Sequence, residues 1–419
     1  LMDDTIIPEA SNNANISISS YFKDKQFDYM LRFRPFRFTN CSATGQNGPT
    51  LTQCVSEYSD SHTRINMTTQ GIQEWTVPKS GIYRLVVAGA KGGNAIFGAQ
   101  NEPLQAPNGG EGAKITGVFH LIHGEKIQIA VGQQGNTTIC PGGGGASWVV
   151  KEGNSLDDIL IISGGGGGGG TWTFNPSQID GQIVEAYLNN GKNGYDPHPT
   201  GTDAQGGTGG NGGYKGDGAN RGGGGGGWLG DGQISSSSTT HTHMAGRGWG
   251  NGLIGGTDYD FGGSNTQSGS GGFGGGGAGG QHSQTGYGGG GGGYSGGGGG
   301  SWASPGGTGG GGGSYINSSN LSVSYNTHSG SHGEVEITFL SSSLYHFSSH
   351  TFTNCGATGR NGPTLANCIS EYYSASWASN TDLFNMTTQG IQEWTVPKSG
   401  SYKIKAWGAD ADNRTGGRG

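Results

Sequence analysis

GGGGGGG at 164–170 decides how this chain is read. Further runs follow at 222–227, 274–277, 288–293, 296–300 and 309–313, so that most of the 94 glycines in 419 residues lie between Gly164 and Gly313. Large aromatic residues interrupt them: Trp172, Trp228, Trp249, Phe273, Tyr287, Tyr294, Trp302 and Tyr315. Two states of such a segment compete. One is a flexible coil, because glycine loses more backbone entropy on ordering than any other residue. The other is a packed array of extended threefold helices of polyproline-II geometry. There the missing Cβ lets neighbouring backbones approach and hydrogen-bond, as glycine does at the axis of collagen. Composition alone favours the coil. The flanks favour the array.

Those flanks alternate with period two. GIQEWTVPKSGIYRLVVAGAKGG (71–93) reads as two strands about a Pro-Lys-Ser-Gly turn, with Tyr83, Leu85 and Val87 on one face and Arg84 on the other. KITGVFHL (114–121), KIQIAVG (126–132), SWVV (147–150) and DILIIS (158–163) lead into the glycines. HGEVEITF (332–339) follows them, setting Val335, Ile337 and Phe339 against Glu334, Glu336 and Thr338. Alternation with turn punctuation, and no segment of helical period, predicts an all-β sandwich. The glycine region is then an insertion between two strands, held at both ends. Upstream, MLRFRPFRF (30–38) alternates too, but Pro35 confines it to an edge or a strand start. ISISSYF (16–22) is a weaker strand candidate.

The beginning then recurs. FTNCGATGRNGPTLANC (352–368) repeats FTNCSATGQNGPTLTQC (38–54), differing only at Ser42/Gly356, Gln46/Arg360, Thr52/Ala366 and Gln53/Asn367. FNMTTQGIQEWTVPKSG (384–400) repeats 65–81 except at Ile65/Phe384. SYKIKAW (401–407) is predicted as the next strand, with Tyr402, Ile404 and Ala406 inward. The expected organisation is an N-terminal extension over 1–37, able to act as a pairing strand, and a sandwich over 38–163 plus 332–342. A glycine-rich domain covers 164–331, and a truncated second β-module covers 343–419.

Cys41 and Cys54 are spaced as Cys355 and Cys368 are, which reads as two local disulfides, each worth on the order of 3 kcal/mol by loop closure. Cys140 is left over, either as a free thiol or as a bond to another chain. Asn-x-Ser/Thr sequons stand at Asn15, Asn40, Asn66, Asn136, Asn317, Asn320, Asn385 and Asn413. With the paired cysteines they point to an extracellular, secreted or cell-surface chain carrying N-linked glycans. The net charge of −7 offers no basic patch for nucleic acid. No apolar run approaches the ~20 residues that cross a bilayer. LMDDTIIPEA (1–10) carries no leader pattern, so a secreted chain has lost its leader before this numbering or is a fragment.

The ordered series from about 38 to 340 resembles the membrane-proximal ectodomain of the anaplastic lymphoma kinase and leukocyte tyrosine kinase receptors. It comprises the C-x12-C loop with NGPT, the GIQEWTVP strand, the Tyr-x-Leu strand ending in a Gly-Ala turn, VGQQG (131–135) with Cys140 after it, the glycine runs with Trp and Tyr, and the HGEVEI strand. That resemblance implies a jelly-roll sandwich like that of tumour necrosis factor, fused to a glycine-rich domain of polyglycine-II-type helices. The chain departs from those receptors in lacking a transmembrane segment, a kinase, the further cysteine-rich module and additional cysteines. No ligand-binding residue is carried over.

Catalytic motifs are weak. Gly293-Tyr294-Ser295-Gly296-Gly297 satisfies G-x-S-x-G, but glycine runs replace the strand and helix that an elbow needs. His241 and His243, His328 and His332, and Asp258 with Asp260 lack further ligands at metal spacing. No enzyme, metal or cofactor is expected. The aromatics among the glycines are expected to wedge the array, with an exposed binding patch as the alternative. The functional expectation is a non-enzymatic extracellular structural glycoprotein that assembles with copies of itself. The contact would run head to tail into a fibre or coat, through strand complementation of the truncated module. The alternative is a ligand-binding receptor-type ectodomain.

Overall fold

The computed structural model describes residues 34–59, 63–96, 108–153, 155–170, 190–194, 203–217, 221–233, 244–258, 268–282, 285–301, 306–341, 349–373, 375, 377–381, 383–396 and 402–409. ISISSYF, Trp172, His241, His243, Tyr259, Asp260, Trp302, Asn15 and Asn413 lie outside them. Contacts divide the chain into two units, Leu1–Ser341 and Ser342–Gly419.

The first unit is an all-β sandwich. Its strands in chain order are β1 (Phe36–Phe38), β2 (Asn66–Thr69), β3 (Ile72–Thr76), β4 (Gly81–Ala88), β5 (Gly112–Leu121), β6 (Lys126–Ala130) and β7 (Ser147–Lys151). They continue with β8 (Ile159–Ser163), the short hairpin β9 (Gly280–His282) and β10 (Thr285–Tyr287), then β11 (Tyr315–Ile316), β12 (Ser322–His328) and β13 (Glu334–Ser341). One sheet runs β1-β13-β4-β5-β12 and the other β11-β8-β7-β6-β3-β2, every ladder in them antiparallel. Alternation does what it should: β5 buries every second side chain, and Tyr83, Leu85, Val87, Val335, Ile337 and Phe339 meet Trp75, Ile127, Ile129, Val149 and Ile161 between the sheets. Fully burying each such side chain contributes about 1.5–3 kcal/mol. Pro35 precedes β1, which is the edge strand beside β13.

Three features depart from the sequence reading. The sandwich resumes at β11 and β12, not at 332; β12 is a largely exposed edge strand that meets the core through the half-buried Tyr325, and its polar residues hide the short alternation of Val323 and Tyr325. Each cysteine loop holds a helix, α1 (Leu51–Glu57) and α2 (Leu365–Glu371). Seven residues are too few for a visible period, and the signal lies instead in the capping boxes Thr50/Gln53 and Thr364/Asn367. Finally, SYKIKAW is not a strand over its described residues. Residues 402–409 are exposed, Ile404 by 87%.

Glycines at the ends of the strands join those of the long insertion. Gly89 to Gly93 continue β4, Gly132 to Gly135 continue β6, Gly142 to Gly145 precede β7, and Gly164 to Gly170 continue β8. The bonding between these segments repeats every third residue. Along 288–294, the N–H groups of Gly288, Gly291 and Tyr294 donate to the carbonyls of Gly307, Gly310 and Gly313 at 2.8–3.0 Å. Those of Gly289 and Gly292 donate to Pro141 and Gly144, and those of Gly290 and Gly293 to Gly223 and Gly226. The carbonyls of the same segment accept from Gly300 and Gly297, from Gly168 and Gly165, and from Gly277. One segment therefore bonds six neighbours, rotating by a third of a turn per residue. A β-strand, with two bonding directions, reaches at most two.

A Cβ has no room here. Added at Gly291 it would land on the carbonyl oxygen of Gly165, and at Gly225 on that of Gly291. Gly291→Ala is expected to destabilise the first unit by at least about 1–3 kcal/mol, as overpacking does. Gly250→Ala, where no atom lies within 4 Å of the added methyl, is expected to stay within about 0.5 kcal/mol of the parent. Paired denaturant titrations measure both.

Candidate functional site

Two arrangements bind the glycine segments to the sandwich. The first is the cap closed by the disulfide Cys41–Cys54. Tyr58, at the end of α1, accepts from the Thr39 N–H at 2.8 Å and donates to Gln73 Oε1 at 2.8 Å, and Gln73 Nε2 returns to the Thr39 carbonyl at 2.9 Å. Burial pushes the Tyr58 hydroxyl pKa up, so it stays a neutral donor and acceptor. The loop tip then meets the glycine region. Phe273 N–H donates to the Gly45 carbonyl at 2.8 Å, Gly255 N–H to Gln46 at 2.9 Å, and Gln133 Nε2 to Asn47 at 3.1 Å. The fully buried Phe273 ring lies against Gly48 and Gly71, where an added Cβ would stand 2.7 and 2.6 Å from Cε2. Gly71 also holds φ +86°, which glycine adopts without cost.

The second arrangement is aromatic. Trp148, on the outer face of β7, sits 5.5 Å from Trp249 and 6.4 Å from Trp228 between ring centroids, and Tyr294 stacks on Tyr315 at 4.8 Å. With Phe273, Leu253, Ile72 and Ile162 they form one buried cluster. This explains why β8 is buried at all five positions: both faces of its sheet are covered. Asp231 fixes the turn that carries Trp249, accepting from Arg247 Nη1 and Gly248 N at 2.8 Å and from Asn251 Nδ2 at 2.9 Å. Burial opposes its ionisation, but these bonds outweigh it and the pKa is lowered. Tyr287 is buried beneath the Arg221 guanidinium, 4.4 Å from the ring centroid. These described aromatics wedge the sandwich and glycine segments together and form no exposed patch.

The chemical candidates fall apart. Ser295 is fully buried, and its Oγ accepts from the Gly210 N–H at 3.0 Å. His332 Nδ1 accepts from Gln134 N at 3.2 Å while its carbonyl lies 2.9 Å from His328 Nε2, so the pair does not converge. Among the described residues no group of His, Cys, Asp or Glu could hold a metal ion. Asp258 is exposed. Of the sequons, Asn66 and Asn136 are exposed, while Asn40, Asn320 and Asn385 are half-buried. Asn317 is buried, its Nδ2 donating to the Asp157 carbonyl at 3.1 Å. Cys355 and Cys368 are bonded to each other. Cys140 is free and fully buried, its thiol pushed up to about 12 by burial against a hydrogen bond with the Tyr287 backbone.

The second unit rebuilds the cap. Tyr372 accepts from Thr353 N at 2.8 Å and donates to Gln392 Oε1 at 2.9 Å, and Gln392 Nε2 returns to the Thr353 carbonyl at 2.7 Å. Five residues are inserted after the helix, since the copies stand 314 apart at Cys54/Cys368 and 319 apart at Gly71/Gly390. Trp377 falls beside that insertion and packs on Tyr372 and Phe384 at 5.9 and 5.6 Å, giving this unit a core of its own. Sequence reasoning missed the Thr–Tyr–Gln closure and the Gly48/Gly71 pinch, although their repetition in both copies was the available signal.

A stretch of 113 residues, 26% of this chain, is 40% identical to the leukocyte tyrosine kinase receptor of Mus musculus and spans 12% of that protein's length. No family model matches the chain. Among the described residues no helix is long and apolar enough to cross a membrane.

Because only the thiolate reacts readily, Cys140 is expected to resist alkylation at pH 8 in the native chain. It should label within minutes once the chain is unfolded with its disulfides intact. Native labelling at the unfolded rate, read by mass spectrometry, would contradict its burial.

Proposed function

We propose that this chain is an extracellular, non-enzymatic domain of receptor-ectodomain type, whose glycine segments form an array of polyglycine-II-type helices and act as a rigid scaffold. The observation that carries this reading is the three-residue bonding step of 288–294 with its six neighbours. The partial likeness to a tyrosine kinase receptor supports the class, and the two disulfides support an oxidising compartment. The sandwich fixes the two ends of the glycine insertion, at β8 and β11, which lowers the entropy the array must overcome. Activity, ligand and signalling of the mouse receptor are properties of that protein. The domain boundaries that follow are a sandwich interleaved with the array up to 341, and a smaller cap module from 342.

A head-to-tail assembly is a second reading, and one observation favours it. Side chains that the first copy buries are open in the second: Ile72 is 6% exposed and Ile391 59%, Val77 0% and Val396 54%, Leu85 0% and Ile404 87%. Exposed apolar edges of this kind attract a further strand.

Expressed through the secretory route of a eukaryotic cell, the chain is expected to carry N-linked sugar, with Asn66→Gln and Asn136→Gln each removing one glycan on a gel. A chain secreted with neither site modified would count against the glycoprotein. Light scattering separates the two readings: a mass rising with concentration supports assembly, and a constant monomer mass removes it.

A further inference from the structure

The second cap repeats the slot that holds Phe273 in the first, and there no ring of a described residue fills it. Gly390 has φ +85° where Gly71 has +86°, and Gly359 has +84° where Gly45 has +83°. Gln389 Nε2 holds the Gly362 carbonyl at 2.9 Å as Gln70 holds that of Gly48 at 2.8 Å. Gly390 N–H donates to the Pro363 carbonyl at 3.0 Å, as Gly71 does to Pro49. The walls are therefore already in the bound shape. In the first copy an aromatic ring fills the space over the glycine pair. In the second, the three nearest atoms to a Cβ on Gly390 all belong to Gly362, and no aromatic ring is among them. Among the described residues, no backbone or side-chain donor reaches the carbonyls of Gly359, Arg360 or Asn361, whose counterparts accept from Phe273, Gly255 and Gln133. Ile391, counterpart of the buried Ile72 in the Phe273 cluster, is 59% exposed.

We propose that the Gly362/Gly390 slot is a binding site for a glycine-flanked aromatic loop. The ring would lie across the two Cα atoms, and the N–H of the aromatic residue would donate to the Gly359 carbonyl, as Phe273 N–H does to Gly45 in the first copy. The occupant is chosen by the molecule's own precedent: in the same frame the first copy takes a phenylalanine between glycines, GGFGG at 271–275. The flank after the ring, Gly274, holds φ +102°, which lets the backbone turn away behind the aromatic residue and which glycine adopts without cost. Phe273 itself is buried and committed to the first slot, so the loop belongs to a partner chain that carries an aromatic residue between glycines. A preformed slot spares the ordering cost of binding. This inference needs only the second cap and goes beyond the scaffold reading; it stands if the glycine array proves flexible in solution.

The test uses the full chain and a synthetic peptide of residues 268–280, SGSGGFGGGGAGG. Titration is expected to shift the amide resonances of Gly362, Gly390 and Ile391 saturably, and to leave Gly48 and Gly71 unmoved. The Phe273→Ala peptide should bind at least tenfold more weakly, and Ile391→Asp in the chain, at an exposed position, should weaken the parent peptide to a similar extent. Equal shifts with both peptides, shifts confined to Gly48 and Gly71, or no saturation at millimolar peptide would each overturn the proposal. So would a chain that self-associates through this face and that the peptide cannot compete apart. The comparison of the two peptides needs no variant chain, so it decides even if Ile391→Asp fails to fold.

Discussion

Backbones in the glycine segments approach one another closer than a Cβ would allow, and everything else in the first unit serves that approach. An N–H···O bond between peptide groups nets about 0.5–1.5 kcal/mol in water. Fixing a residue's backbone costs about 1–2 kcal/mol, and glycine stands at the upper end. Hydrogen bonds alone thus come close to offsetting the entropy without exceeding it. The balance has to be tipped from outside.

The sandwich tips it in two ways. Strands and glycine segments are continuous chain: β4 and β8 run directly into Gly89 and Gly164, and β6 reaches Gly132 through the buried Val131, so the first residues of these segments are placed before any bond forms. Ser147 and Ser163 mark that junction, their hydroxyls donating to the Ala88 and Val87 carbonyls at 2.6 and 2.7 Å across the sheets. The aromatic cluster supplies the apolar term that glycine lacks. Trp228, Trp249, Phe273 and Tyr294 come from the glycine region and bury against Trp148, Ile72 and Ile162 of the sheet. The sheet gains a cover for its second face, and the glycine segments gain an anchor.

Much of this was legible in the residues. Strand positions followed from alternation wherever one face met the core, as at Tyr83, Leu85 and Val87. They were missed where little of a face did, as along SVSYNTH at 322–328, where the half-buried Tyr325 makes the contact with the core. The disulfides followed from equal spacing, whereas α1 and α2 were hidden by their length. Ile391, Val396 and Ile404 carry the same pattern as their counterparts in the first copy yet lie exposed, because alternation records which residues suit a core and not whether its other half is present. The pinch of Gly48 and Gly71 on Phe273 joins residues about two hundred positions apart, and no local pattern announces such a contact. Its repetition as Gly362 and Gly390 did.

Amide hydrogen exchange across 288–300 and 306–313, resolved by overlapping peptides, tests the central claim most directly. If interlocked backbone is what orders the glycine segments, these amides exchange orders of magnitude more slowly than in a free glycine peptide, and together with those of β7 and β8. Exchange at the free-peptide rate, beside a protected sandwich, would contradict it.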